Sequence, residues 1–188
     1  NERDIIVEGL RHLLENVRRP SNGFQVILAY NTPTRLPVEA ELERLASSDP
    51  ALVVHRVEGS ESKAENVNAV LPMATGEIIS ILDADHHPCA DCLERAWRWL
   101  AQGYDVVQGR SVIRNHSQNL LTRLIAVEFE CIYAVSHAAR SIALDTAIFG
   151  GSNGYWRAEA LKQTAFDGSM MTEDIDASAR ALLAGYRI

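Results

Sequence analysis

The chain has 188 residues, 47% of them hydrophobic and 23% charged, with a net charge of −7. That length carries one domain with a core of its own, and the acidic balance argues against a general nucleic-acid binder or a basic membrane-surface patch. Cys89, Cys92 and Cys131 are too few for a disulfide framework and fit a reducing compartment, and no apolar run approaches the length of a membrane span.

Taken in order, Ile6, Leu10, Leu13, Leu14 and Val17 recur on one helical face, predicting a helix over 4–18 with Asp4 at its start and Pro20 after its end. Phe24 to Tyr30 predicts a buried strand, closed by Asn31-Thr32-Pro33. Helix 38–47, strand 52–57 and helix 62–73 follow, the last opened by Ser62. A central strand over 77–82 precedes a helix over 90–102 with Trp97 and Leu100 inward, and Gly103 stops it. Strand 104–108, a long amphipathic helix over 118–138 and a short strand over 147–154 come next. Helices over 157–164 and 174–184 complete the chain. Strands alternating with helices of this length imply an α/β domain with a mostly parallel sheet, one unit over 1–188.

The most informative stretch is Ile78-Ile79-Ser80-Ile81-Leu82-Asp83-Ala84-Asp85-His86-His87-Pro88. Its apolar run is a strand buried on both faces, ending abruptly in two carboxylates. Buried lone carboxylates are costly, so the pair should face a cavity, a cation or water. Ligands of open α/β sheets sit at the carboxyl ends of strands. Mg²⁺ takes one or two carboxylates plus substrate phosphates, so a metal–diphosphate site at Asp83 and Asp85 is the first expectation.

Three further clusters carry polar chemistry. In Met171-Thr172-Glu173-Asp174-Ile175-Asp176, Thr172 is placed to cap a helix whose first turn holds acids. The catalytic alternative makes Asp174 or Glu173 a general base. In Phe149-Gly150-Gly151-Ser152-Asn153-Gly154 the glycines allow positive φ and close approach to a ligand, or simply a turn. In Ser62-Lys63-Ala64-Glu65-Asn66-Val67-Asn68, Lys63 is able to reach a phosphate, or the segment is a solvated helix start.

These segments, in this order and spacing, resemble family-2 glycosyltransferases, and within them the processive, cellulose-synthase-like branch. The resemblance runs from Asn1-Glu2 to the Thr172-Glu173-Asp174 segment and beyond. It implies a GT-A, Rossmann-like fold. It implies that Asp83 and Asp85 hold Mg²⁺ or Mn²⁺ at the diphosphate of a nucleotide-sugar donor, by default a UDP-hexose. Asp174 would deprotonate the acceptor hydroxyl and Glu173 would orient the site. Lys63, Asn66 and Asn31 would line the nucleotide pocket, with Tyr30 stacking on the base. Gly151, Ser152 and Asn153 would meet donor sugar and acceptor, and Trp156 would be the residue to test for acceptor stacking. The acceptor would be a growing glycan or a lipid-linked sugar, with no nucleic acid involved. The family's first strand, its Gln-x-x-Arg-Trp motif and its membrane helices have no counterpart in these residues. The expectation is therefore a piece of a larger enzyme on the cytoplasmic side of the plasma membrane, with little transferase activity by itself.

Rival readings are a non-catalytic nucleotide-sugar-binding scaffold, a DHH phosphoesterase on Asp85-His86-His87, and zinc at His86, His87, Cys89 and Cys92. Glu128 and Glu130 are expected to be solvated, and His116 and His137 have no assigned role. Trp97, Trp99 and Trp156 are expected to pack in the core or at its edge, with acceptor stacking the alternative for Trp156.

Overall fold

The structure, a computed structural model, describes residues 5–188. The expectations for Asn1, Glu2 and Asp4 lie outside the described residues. The α/β alternation is as expected. Helix α1 (Ile6–Asn16) is followed by β1 (Val26–Tyr30), α2 (Glu39–Ser48), β2 (Leu52–Arg56) and α3 (Lys63–Val70). A tight turn at Leu71–Met73 leads to β3 (Ile78–Ile81), α4 (Cys92–Leu100) and β4 (Val106–Gln108). A long helix then runs as α5 (Leu120–Glu130), a π-helical stretch (Cys131–His137) and α6 (Ala138–Leu144). The chain ends with β5 (Gly154–Arg157), α7 (Ala158–Thr164) and α8 (Glu173–Leu183).

Strands β1 and β2 pair in parallel, Val26 opposite Leu52. Strand β5 lies between β3 and β4 and is antiparallel to both, so β3 and β4 run parallel to each other. Among the described residues, β1 and β3 each pair on one side only. One core cluster joins Ile81, Val106, Phe149, Trp156, Leu161 and Phe166; another joins Ile6, Leu10, Val26, Leu42 and Leu52. Ala84 packs on the second cluster, so the turn after β3 bridges the two.

The strand expected over 147–154 is displaced to 154–157. Gly151 at φ 80° and Asn153 at φ 55° are left-handed, which no strand tolerates, so pairing starts only after them. In α4 the buried line is Cys92, Ala96 and Leu100, spaced by four. Trp97 falls one residue off that line and is 48% exposed, against the expectation that it points inward. Trp99 is exposed too, edge-on to Tyr104 with ring centres 5.7 Å apart. The long helix extends six residues past its expected end, and α5 opens on a reciprocal cap between Asn119 and Thr122.

Candidate active site

Strand β3 buries Ile81 and delivers Asp83 and Asp85 just past its end. The Asp83 backbone N–H donates to Ser152 Oγ at 2.9 Å, which ties the acidic turn to the glycine loop. Helix α3 begins at Lys63 because the Ser62 hydroxyl caps it, accepting from Glu65 N–H at 3.1 Å. From that first turn the Lys63 ammonium pairs with Asp83 and donates to the Gly151 carbonyl at 2.6 Å. Asp174 stands in the first turn of α8, one carboxylate oxygen accepting from Ile175 N–H at 2.8 Å. Its other oxygen lies 3.0 Å from where a Cβ on Gly151 would stand. Gly151 is therefore the common neighbour: its carbonyl faces the Lys63–Asp83 pair and its Cα faces the Asp174 carboxylate. Glycine is required there twice over, for the positive φ and for the space.

The glycine loop is fastened by residues that sequence reading did not single out. Ser178, 1% exposed, donates to the Asp174 carbonyl at 2.8 Å and accepts from Phe149 N–H at 2.9 Å. That one hydroxyl fixes the first turn of α8 against the loop. Gln108 accepts from Gly150 N–H at 2.8 Å and donates to the Ser152 carbonyl at 2.9 Å. Ser152 is buried, and its hydroxyl meets His86 Nδ1 at 3.0 Å, while His86 Nε2 lies 3.3 Å from Ser111 Oγ. Such roles are set largely by partners on other elements; Gln108 alone carried a local signal, as a polar residue at a strand end.

Ligand atoms of Asp83, Asp85 and His86 all lie within 4.8 Å of one another. Two carboxylates and an imidazole fit a divalent cation such as Mn²⁺ or Mg²⁺, with Mn²⁺ the more tolerant of nitrogen. Lys63 now supplies the positive charge beside Asp83. Glu173 lines a cavity of about 10 Å³ with Lys63, Ile81, Phe149, Gly151 and Phe166, room for a single water. Tyr133 of the π stretch also reaches this region. Burial raises its pKa first, the charges of Asp174 and Asp83 raise it further, and a Ser111 hydrogen bond pulls it down.

The structure thus brings together Asp83, Asp85, Lys63, Gly151, Ser152, Glu173 and Asp174. Asn31 and Asn66 form a pair of their own, Asn66 donating to the Asn31 side chain at 2.9 Å and Asn31 donating to the Ser60 carbonyl at 2.8 Å. The Tyr30 hydroxyl donates to Glu39 at 3.0 Å. Several expectations are corrected. Trp156 is 0% exposed in the core of β5, so it has no face for an acceptor. The Asn153 amide is engaged inside the protein, donating to the Arg110 carbonyl at 3.1 Å and accepting from Tyr155 Oη at 3.0 Å. Thr172 makes no side-chain cap on α8. The zinc reading fails on geometry. His87 stacks on His12 with ring centres 4.4 Å apart, and Cys92 is buried in a core cluster beside Tyr155. No metal-holding cluster among the described residues includes a cysteine. Glu130 is ion-paired with Arg110 at the surface.

A family model described as glycosyl transferase family group 2 matches residues 78–188, which hold β3, the acidic turn, the glycine loop and α8. The chain belongs to glycosyl transferase family group 2. Within this family, glucomannan 4-beta-mannosyltransferase 7 of Arabidopsis thaliana is 29% identical over 114 residues, 59% of this chain and 20% of the relative. The probable glucomannan 4-beta-mannosyltransferase 7 of Oryza sativa subsp. japonica is 32% identical over 114 residues, with the same coverage. The chain thus spans about a fifth of the length of these curated relatives. Among solved structures, the mannosyltransferase PcManGT from Pyrobaculum calidifontis, in complex with GDP-Man and Mn²⁺, superposes with a TM-score of 0.76. It is 27% identical, and the match covers 100% of this chain and 50% of that one. A mycobacterial protein shares the fold at 17% identity and a TM-score of 0.52, over 88% of this chain and 52% of its own. The family-2 fold is accordingly of the GT-A type. Membership of this family sets aside the DHH phosphoesterase reading. No helix among the described residues is long and apolar enough to cross a membrane.

Proposed function

We propose that this domain binds a nucleoside-diphosphate hexose and a divalent cation at Asp83 and Asp85 and transfers the sugar to a hydroxyl of a glycan acceptor. The observation that carries this is the convergence of the Asp83–Lys63 pair and the Asp174 carboxylate on the two sides of Gly151. Asp83 and Asp85, with His86 alongside, would hold the cation, which would supply Lewis-acid charge to the diphosphate leaving group. Lys63 sits where its ammonium can turn from Asp83 to a phosphate oxygen. Asp174 takes the proton of the acceptor hydroxyl as that oxygen bonds to the anomeric carbon. The bond from that carbon to the diphosphate breaks, and the nucleoside diphosphate departs with the electron pair. A single displacement of this kind inverts the anomeric configuration and needs no second carboxylate nucleophile.

The relatives are named mannosyltransferases, and the solved neighbour holds GDP-Man. That favours a GDP-linked mannosyl donor over the UDP-hexose expected from the sequence, and a β-linked polysaccharide over a lipid-linked acceptor. In this reading Asn31 and Asn66, hydrogen-bonded to each other, line the nucleotide pocket and Glu173 orients the site next to Asp174. We infer that the 188 residues work as part of a longer, membrane-associated protein. The much greater length of the curated relatives supports this.

The test pairs two measurements on Asp174→Asn. Titration calorimetry with GDP-mannose and Mn²⁺ is expected to give unchanged donor affinity. Mannosyl transfer by the full-length protein is expected to fall by about 10²–10⁴-fold, the usual weight of a general base. Equal loss of binding and transfer would move Asp174 from chemistry to structure.

A further inference from the structure

Nothing in the sequence marks Tyr133; a tyrosine in an apolar helix ordinarily packs in a core. Three observations give it another role. The first is its backbone. Residues 131–137 run as a π-helix between α5 and α6, with helical dihedrals maintained at both junctions. Such widened turns are rare and concentrate at functional sites, because they re-aim side chains that a regular helix would point elsewhere.

The second is what the ring reaches. Tyr133 stands between Phe129, with ring centres 5.8 Å apart, and His137, at 5.3 Å. Its hydroxyl oxygen lies 3.1 Å from where a Cβ on Gly150 would stand. The Asp174 carboxylate bears the same relation to Gly151. The phenol and the proposed base therefore approach adjacent residues of one loop, each in a space that a glycine leaves open. The third is how the region is held. Ser111, 8% exposed, bonds His86, which bonds Ser152, which takes the Asp83 N–H. The acidic turn, the glycine loop and the segment beside Tyr133 are thus locked to one another.

We propose that Tyr133 is an acceptor-binding residue, its hydroxyl donating to an oxygen of the acceptor sugar next to the hydroxyl that Asp174 deprotonates. This rests on the functional reading above and adds to it the residue that orients the incoming alcohol. A neutral O–H suits the task. It supplies directional binding to a sugar oxygen without competing with Asp174 for the proton and without drawing the cation away from Asp83 and Asp85. A tyrosine recognises an oxygen-rich ligand in this way at small entropic cost, having two side-chain torsions. An acceptor lacking the bonded oxygen would leave the phenol O–H without an acceptor, so the contact also selects among acceptors.

The experiment uses the 188-residue chain loaded with Mn²⁺ and GDP, titrated with mannohexaose, and separately the chain with Mn²⁺ titrated with GDP-mannose. Tyr133→Phe is expected to weaken mannohexaose about tenfold, the worth of one hydrogen bond in a partly desolvated site, and to leave GDP-mannose affinity and melting temperature unchanged. Gly150→Ala, which sets a methyl against the Tyr133 hydroxyl, is expected to give the same selective loss. The proposal is overturned if Tyr133→Phe weakens both ligands equally or neither, as a structural role would. It is also overturned if the unsubstituted chain binds GDP-mannose but not mannohexaose, in which case the donor site stands. Binding of neither ligand by the unsubstituted chain would bring down the functional reading and this inference together.

Discussion

Single carboxylates in this protein do unlike work, and their surroundings say which. Asp83, through its pair with Lys63, and Asp174 approach Gly151 from two sides. Glu39 does the opposite. It is 4% exposed and accepts from Leu36 N–H at 2.8 Å, Thr32 Oγ1 at 3.1 Å and Tyr30 Oη at 3.0 Å. The backbone bond from Leu36 is the main cause of a pKa below the ordinary 4.5, with the Tyr30 and Thr32 hydroxyls adding to it. A carboxylate with a lowered folded pKa stabilises fully above its unfolded value, and that contribution is lost as pH falls through the folded one. Glu39→Gln is expected to lower the melting temperature at neutral pH and to shrink the further loss between neutrality and about pH 3. A melting series over that range checks it; an unchanged acid limb would assign the acid sensitivity elsewhere. Residues with a local signature were legible in the sequence: acids just past an apolar strand, a lysine at a capped helix start, glycines between elements. Ser111, Ser178 and Tyr133 were not, because each is defined by a partner on another element.

At the scale of elements, period and capping located the helices and strands to within a few residues, apart from the strand expected over 147–154 and the late end of the long helix. Left-handed backbone at Gly151 and Asn153 moves that pairing downstream, and the same geometry opens the space that Asp174 fills. Helix α1 shows how an element far from the chemistry holds it. Gly9 is buried, and a Cβ there would collide with the carbonyl of Ala84, between the two acidic residues of the turn. Alanine in a helix interior is worth about 1 kcal/mol over glycine, whereas overpacking costs about 1–3 kcal/mol. The collision is with backbone, which cannot swing aside, so overpacking wins. Gly9→Ala is expected to lower stability and to speed amide exchange in residues 83–87, read by hydrogen–deuterium exchange. A gain in melting temperature would show that α1 is free to shift away from the turn.

At the scale of the molecule, Trp156 connects the fold to the site. It sits at the centre of β5, opposite Ile79 on one side and Val106 on the other, with Phe149 edge-on at 5.5 Å between ring centres. Its indole N–H is buried without a partner among the described residues. Trp156→Ala is expected to cost about 3–5 kcal/mol in urea denaturation, the usual price of emptying a large aromatic site. Trp156→Phe is expected to cost far less, because its ring refills most of the site, while it too removes an unpaired buried donor. Donor affinity of the folded Phe variant is expected to match the parent; a selective loss of sugar binding at full stability would return Trp156 to the site.

The sequence by itself determined the α/β class, the order of the elements and the identity of the charged residues that meet at the site. Periodicity, capping and the abrupt change from apolar to acidic at a strand end are written locally and survive without coordinates. Only the tertiary structure decided that Asp174 and the Lys63–Asp83 pair meet at Gly151, that Trp156 faces inward and that Tyr133 faces the glycine loop. Those outcomes depend on which faces pack together across gaps of 17 to 88 residues. Such choices are made by burial and close packing of the whole chain, and no local pattern encodes them.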